Sequence, residues 1–132
     1  MLRSIVTFVL FCASIAAAHP MGNFSVNHYA RLDVAADSTH LTYVLDFAEI
    51  PTFELLQGWA IDGRNPVALK AKASAEASIW LGNLQITSDI KRIKPLPISV
   101  GTNIQDGAGG MPILRVVMDA RIAVHPGLVK YE

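Results

Sequence analysis

Hydrophobic and polar residues alternate with a period of two over residues 24–34 and again over residues 41–47. This alternation predicts a β-hairpin that has one face toward a core and one face toward water. The positions on the predicted apolar face are Phe24, Val26, His28, Ala30, Leu32 and Val34 in the first strand and Leu41, Tyr43, Leu45 and Phe47 in the second.

The second half of the chain repeats the strand pattern in shorter pieces. Residues 113–124 alternate most clearly, and apolar segments at 84–87, 98–104 and 128–131 predict further strands. The glycine-rich segment 106–110 is interpreted as a hairpin loop. It lacks the Gly-Lys-Ser/Thr of a phosphate loop, and no helix follows it that could hold an anion.

One helix is predicted, at residues 66–81. Asn65 is suited to cap its first turn, and Pro66 is suited to the first helical position. Before it, Pro51 is expected to end the preceding strand, and residues 52–59 to form a short helical turn. The stripe predicted to be buried is Leu69, Ala73, Ala77 and Trp80. The chain is therefore expected to be α+β and β-rich: an antiparallel sheet or sandwich-like domain of five to seven strands with one inserted helix.

The amino terminus has the pattern of a cleaved secretory signal. Arg3 precedes an apolar run from Ile5 to Ile15, and alanine occupies residues 16–18. We expect residues 1–18 to be removed and residues 19–132 to form a single β-rich domain, exported to the periplasm or another extracytoplasmic space. The fourteen residues from Ile5 to Ala18 are fewer than the roughly 20 that a membrane-spanning helix needs, and no transmembrane segment is expected in the mature chain.

Composition narrows the possible partners of the mature domain. Removing 18 of the 132 residues leaves 114, and the loss of Arg3 leaves ten basic against eleven acidic side chains. A near-neutral chain without a basic cluster argues against nucleic acid as a partner. The one cysteine, Cys12, leaves with the signal, which excludes a disulfide or a cysteine metal site in the mature domain.

Catalytic motifs are absent from the sequence. There is no Gly-x-Ser-x-Gly, and the mature domain has no thiol. Asp46 and Glu49 lie three residues apart near a predicted strand end and are interpreted as groups that cap or pair at the surface. The sequence therefore predicts a protein that is not an enzyme.

The histidines are the candidate metal ligands. Cleavage would give His19 an α-amine beside its imidazole, and the two nitrogens can chelate nickel, cobalt, copper or zinc. Pro20 lacks an amide proton, which excludes chelates that use deprotonated amides at positions two and three. His28 and His125 are weaker candidates for a further ligand. In the alternative interpretation, His19 is simply the residue at the cleavage site, and His28 is a hydrogen-bonded core residue.

Three blocks carry a resemblance to a known family. The blocks are HPMGNFSVN at 19–27, YVLDFAEIPTF at 43–53 and GAGGMPILRVV at 107–117. They resemble the N-terminal extracytoplasmic domain of bacterial nickel/cobalt transporter-like proteins, of the high-affinity nickel transporter or efflux type. In that family a polytopic membrane transporter follows this domain, which implies such a transporter as the partner here.

The resemblance implies a docking or metal-sensing role at the cell envelope. The alternative is a structural or protein-interaction module that needs no metal. None of the family's transport residues has a position in this sequence, so transport itself is not implied. Because the chain stops at Glu132 where further strands are expected, it is interpreted either as a stand-alone version or as a gene fragment whose remaining sheet is missing.

Overall fold

The computed structural model describes residues 23–35, 38–88, 91–123 and 129–131. The predicted signal at 1–18, His19 and His125 lie outside these ranges. The strands are β1 (Val26–Val34), β2 (Thr39–Phe47), β3 (Ile86–Ser88), β4 (Lys91–Ile93), β5 (Leu96–Asp106), β6 (Pro112–Ile122) and β7 (Val129–Tyr131). The helices are α1 (Glu49–Trp59) and α2 (Pro66–Gly82), and a 3-10 turn spans Ala108–Gly110.

The strands form two antiparallel sheets. The larger has the order β1-β2-β6-β5 and the smaller the order β4-β3-β7. Both predicted hairpins are present: β1 pairs with β2, and β5 pairs with β6 around the glycine-rich loop. The α+β, β-rich prediction is confirmed. The strand β4 escaped prediction because its three residues include two charged ones and show no alternation.

One face of the larger sheet packs against the helices, with α1 on β2 and β6 and α2 on β5. The alternation predicted for β2 and β6 is confirmed, because every second residue from Leu41 to Phe47 and from Leu114 to Ile122 is buried on this helix-covered face. The buried hydrophobic residues of these two strands are Leu41, Tyr43, Leu45, Phe47, Leu114, Val116, Met118, Ala120 and Ile122. Among the described residues, the opposite face of the sheet carries no helix and is mainly polar, with Val44, Ile113 and Val117 among its polar side chains.

The predicted helix is α2, one residue longer than expected. The Asn65 side chain accepts a hydrogen bond from the Ala68 amide at 3.1 Å and so caps the first turn. The buried stripe is Leu69, Ala73, Ala77 and Leu81. Leu81 thus takes the fully buried place expected for Trp80, whose larger ring is half-buried and packs beside Trp59 at a centroid distance of 6.3 Å.

The helix α1 is longer than the turn predicted at 52–59, so the structure has a second full helix. It begins at Glu49 and includes Pro51 in its first turn. Backbone amides of the first turn make no hydrogen bond within the helix, so a proline there removes none. Ala60 ends the helix in the left-handed region, with φ of 52°, and its amide bonds the Gln57 carbonyl. None of the helices in the described ranges is long and apolar enough to cross a bilayer.

The strand β1 departs from the predicted pattern. Its apolar residues point to the same face as those of β2, yet Val34 is 63 % exposed and Phe24, just before the strand, is 71 % exposed. The expectation of a covered apolar face is confirmed for β1 only at Val26 and Leu32, which are half-buried against the core, and is wrong for its other apolar positions. The reason is non-local, because the helices pack mainly over β2, β5 and β6.

Candidate functional site

A polar cleft of about 330 Å³ lies at one end of the larger sheet, on the side without helices. It is closed by the segment before β1, by the junction of β2 and α1, and by the ends of β5 and β6. The lining residues are Asn23, Ser25, Asn27, Asp46, Phe47, Ala48, Glu49, Asn103, Gln105, Ile113, Leu114 and Arg115.

A row of four polar side chains crosses the sheet at the cleft. In the strand registers Asn27 faces Asp46, Asp46 faces Arg115, and Arg115 faces Asn103. The Arg115 guanidinium donates two hydrogen bonds to the Asp46 carboxylate, at 2.6 and 2.8 Å. These hydrogen bonds, more than the charge of Arg115, hold the pKa of Asp46 below its usual value. The negative charge of Asp46 and the positive charge of Arg115 therefore cancel, and the pair has no net charge.

The amide side chains of the cleft are available to a ligand. In the part of the chain that the structure describes, Asn27, Asn103 and Gln105 make no side-chain hydrogen bond within the protein. Each amide offers two donor protons and an acceptor oxygen. Together with the neutral Asp46–Arg115 pair, they form a surface suited to a neutral ligand that both donates and accepts hydrogen bonds.

Glu49 links the segment before β1 to the glycine-rich loop at the cleft. Its side chain accepts hydrogen bonds from the Asn23 amide at 3.0 Å and the Ala108 amide at 2.9 Å. Gly107 lets the loop come this close, because a Cβ there would lie 2.8 Å from Glu49 Oε1. Bonds from its own backbone amide, from Ala108 and from Asn23 hold the pKa of Glu49 below its usual value.

The surface interpretation of Glu49 is wrong, since the residue is only 7 % exposed. The interpretation of Asp46 as a surface pair is correct. Sequence spacing missed the role of Glu49 because its partners are 26 and 59 residues away along the chain. The glycine cluster at 107–110 is the sequence signal for this close approach, although by itself it predicts only a hairpin loop.

Neither carboxylate of the cleft is suited to proton transfer near neutral pH. A general acid or base works best when its pKa is close to the operating pH, and both pKa values are lowered instead. Asp46 and Glu49 are therefore ionised and already bonded to other groups.

Of the three predicted metal ligands, the structure describes only His28. Its Nδ1 lies 2.5 Å from the Tyr43 hydroxyl oxygen, on the side of the sheet that the helices cover at β2. The interpretation of His28 as a hydrogen-bonded core residue is correct for the hydrogen bond and wrong for the burial, because the residue is exposed. The cleft is on the opposite side, so His28 is kept apart from Asp46 and Glu49. Across residues 23–35, 38–88, 91–123 and 129–131, no three His, Cys, Asp or Glu side chains come together to hold a metal ion.

No protein-family model matches the sequence, and no curated protein matches it significantly. The resemblance to nickel/cobalt transporter domains therefore stays a prediction from three sequence blocks. Those blocks nevertheless meet in space. Segment 19–27 contributes Asn23 and Asn27 to the cleft, segment 43–53 contributes Asp46 and Glu49, and segment 107–117 contributes Arg115.

Proposed function

We propose that this chain is an exported, non-catalytic docking module that binds a polypeptide segment of a nickel/cobalt-type membrane transporter at the cell envelope. One observation carries the proposal. The three blocks that carry the sequence resemblance are separated by 15 and 53 residues along the chain, yet residues from all three line one cleft. The export signal and the transporter partner rest on the sequence patterns alone.

The chemistry of the cleft favours a peptide backbone as the ligand. An extended peptide presents alternating N–H and C=O groups and no charge, which matches side-chain amides that offer both donors and acceptors. Asn27 and Asn103 stand at opposite ends of the cross-strand row, separated by two strands. With strands about 4.8 Å apart, the row is about 14 Å long, enough for roughly four extended residues.

The docking role does not require a metal ion. The carboxylate oxygens of Glu49 already accept backbone hydrogen bonds, and Asp46 is paired with Arg115. The described residues therefore do not fit a nickel, cobalt, copper or zinc site. The metal-sensing alternative rests on His19, four residues before Asn23.

A binding measurement tests the docking proposal. The processed domain is titrated against a purified nickel/cobalt transporter from the same cell, held in lipid nanodiscs, with and without a chelator. We expect binding that is unaffected by the chelator. The double substitution Asn27→Ala and Asn103→Ala is expected to weaken it about tenfold, since each lost hydrogen bond contributes about 0.5–1.5 kcal/mol.

The matched control is Asn83→Ala, which removes an exposed asparagine at the end of α2, away from the cleft. It should bind like the unsubstituted domain. Equal affinity of the double variant and the control would contradict the role of the cleft, and absence of binding would contradict the partner.

A calorimetric titration tests the metal-sensing alternative separately. Nickel, cobalt, copper and zinc are each added to the processed domain and to a version with one extra residue before His19. The extra residue removes the α-amine from His19 and leaves the imidazole in place. Tighter binding by the processed domain would support chelation at His19, and equal binding by the two versions would contradict it.

A further inference from the structure

The strand β1 presents a row of backbone groups along the edge of the sheet. The Ala35 amide donates a hydrogen bond to the Ser38 carbonyl at 2.8 Å, and the Ala48 amide donates one to the Ser25 carbonyl at 3.0 Å. Hydrogen-bonded pairs alternate along an antiparallel ladder, so the odd-numbered residues of β1 point their backbone groups toward β2. The N–H and C=O groups of the even-numbered residues point outward: Val26, His28, Ala30, Leu32 and Val34.

The two edges of the sheet differ in how they are protected. The edge strand β5 contains Pro97 and an irregular register between Pro97 and Ser99, and α2 packs against it. Proline and bulges are the usual devices that stop an edge strand from pairing with another chain. β1 has none of these devices, and its nine residues pair with β2 in unbroken register.

We propose that β1 pairs with β1 of a second copy of this chain, antiparallel and about a two-fold axis at Ala30. Ala30 is the midpoint of Val26–Val34, so this register overlaps the whole strand. It pairs outward-pointing residues with outward-pointing residues. The five facing pairs exchange two hydrogen bonds each, about ten in all, and join the two four-stranded sheets into one of eight strands.

The side chains of β1 complement each other in this register. On the polar face, Tyr29 of each copy lies opposite Arg31 of the other, and Asn27 lies opposite Asp33. In this register the ring of Tyr29, which is 58 % exposed, would meet the guanidinium of Arg31, whose Nε donates to Asp33 of its own strand at 3.1 Å; a ring facing a guanidinium is a favourable cation–π arrangement. On the other face, Val26 lies opposite Val34 and His28 opposite Leu32. Moving the axis one residue to Arg31 would put like charges directly opposite, which is destabilising.

This inference does not rest on the proposed docking function, and its first test is the mass of the processed domain in solution. Sedimentation equilibrium from 1 to 100 µM is expected to show the mass of two chains. Ala30→Pro removes an outward N–H and none of the bonds to β2. It should therefore raise the dimer dissociation constant at least tenfold, while the circular dichroism spectrum stays that of the unsubstituted domain.

A cross-link tests the register even if the proline variant fails to fold. Ala30→Cys places two thiols at the axis, where facing Cα atoms are about 5.5 Å apart and a disulfide can form. Val34→Cys is the control. In the proposed register Val34 faces Val26, and the two copies of Val34 are eight residues apart, roughly 27 Å.

On a non-reducing denaturing gel, glutathione disulfide should give covalent dimers of Ala30→Cys and no covalent dimer of Val34→Cys. A single-chain mass at every concentration would overturn the proposal, and so would equal cross-linking of the two cysteine variants.

Discussion

Thr39 is a buried hydroxyl group whose removal should stabilise the protein. Its side chain is 1 % exposed on the apolar face of the sheet, between Val34 and Ile122 in the strand registers. Within the described ranges, Oγ1 is the one buried side-chain polar atom without a hydrogen-bond partner. Thr39→Val replaces the hydroxyl by a methyl of nearly the same size, so packing is kept while the unpaired group is removed.

The size of the effect follows from two contributions of the same sign. A buried polar group without a partner costs about 1–3 kcal/mol. Burying a methyl in its place contributes about 0.8 kcal/mol more. Because some of this is offset by small adjustments in packing, we expect Thr39→Val to raise the free energy of unfolding by about 1–2 kcal/mol.

Thr52 provides the matched control, since it is equally buried but fully bonded. Its hydroxyl donates to the Phe47 carbonyl at 3.0 Å and accepts from the Leu114 amide at 3.0 Å. Thr52→Val leaves both backbone groups unpaired in a buried place. The same chemical change should therefore lower the free energy of unfolding by about 2–4 kcal/mol.

Urea unfolding followed by tryptophan fluorescence measures both variants, because Trp59 and Trp80 pack against each other in the native state. The two midpoints should move in opposite directions with unchanged slopes. In thermal unfolding, a domain of this size shifts by about 4 °C per kcal/mol. A Thr39→Val variant that is less stable than the unsubstituted domain would refute the reasoning, because the Thr39 hydroxyl would then have a stabilising partner.

Three further predictions concern the cleft and the end of α1. Glu49→Gln should lower stability at neutral pH. The pKa of Glu49 is lowered in the folded state, so the ionised side chain stabilises the fold above its ordinary pKa of 4.5, and this stabilisation is lost on acidification. The free energies of unfolding of the variant and the unsubstituted domain, measured in urea, should therefore converge below that pH. Gly107→Ala should destabilise by about 1–3 kcal/mol in the same assay, because the new Cβ meets Glu49 and Ile113. Ala60→Gly should stabilise the protein by about 1 kcal/mol and so raise the melting temperature, because glycine adopts the positive φ of residue 60 without strain. Ala71→Gly, within α2, is the control and should lower the melting temperature.

The alternation of apolar residues predicted the burial of side chains correctly only in strands that the helices cover. The alternation in β2 and β6 gave their buried residues correctly, because both strands lie in the middle of the sheet beneath the helices. β1 has the same alternation, but only Val26 and Leu32 are half-buried and its other residues are exposed. Local sequence determines which way a side chain points, but the placement of α1 and α2 determines whether anything lies on top of it.

The candidate site was harder to predict than the fold. The spacing of Asp46 and Glu49 looked like that of two surface groups, and only Asp46 is one. Glu49 is buried because the loop at Gly107 and the segment at Asn23 approach it from distant parts of the chain. The sequence did not predict the side-chain amides of the cleft as binding groups, because asparagine and glutamine in such strands are usually exposed residues of the polar face.

The docking account is tested most directly by hydrogen–deuterium exchange of the processed domain, alone and with the purified transporter. A bound peptide should slow exchange in the segments that line the cleft, at residues 23–27 and 103–107. The middle of α2, on the other side of the sheet, should exchange as in the free domain. Slower exchange confined to α2, or unchanged exchange at both cleft segments under saturating transporter, would contradict docking at the cleft.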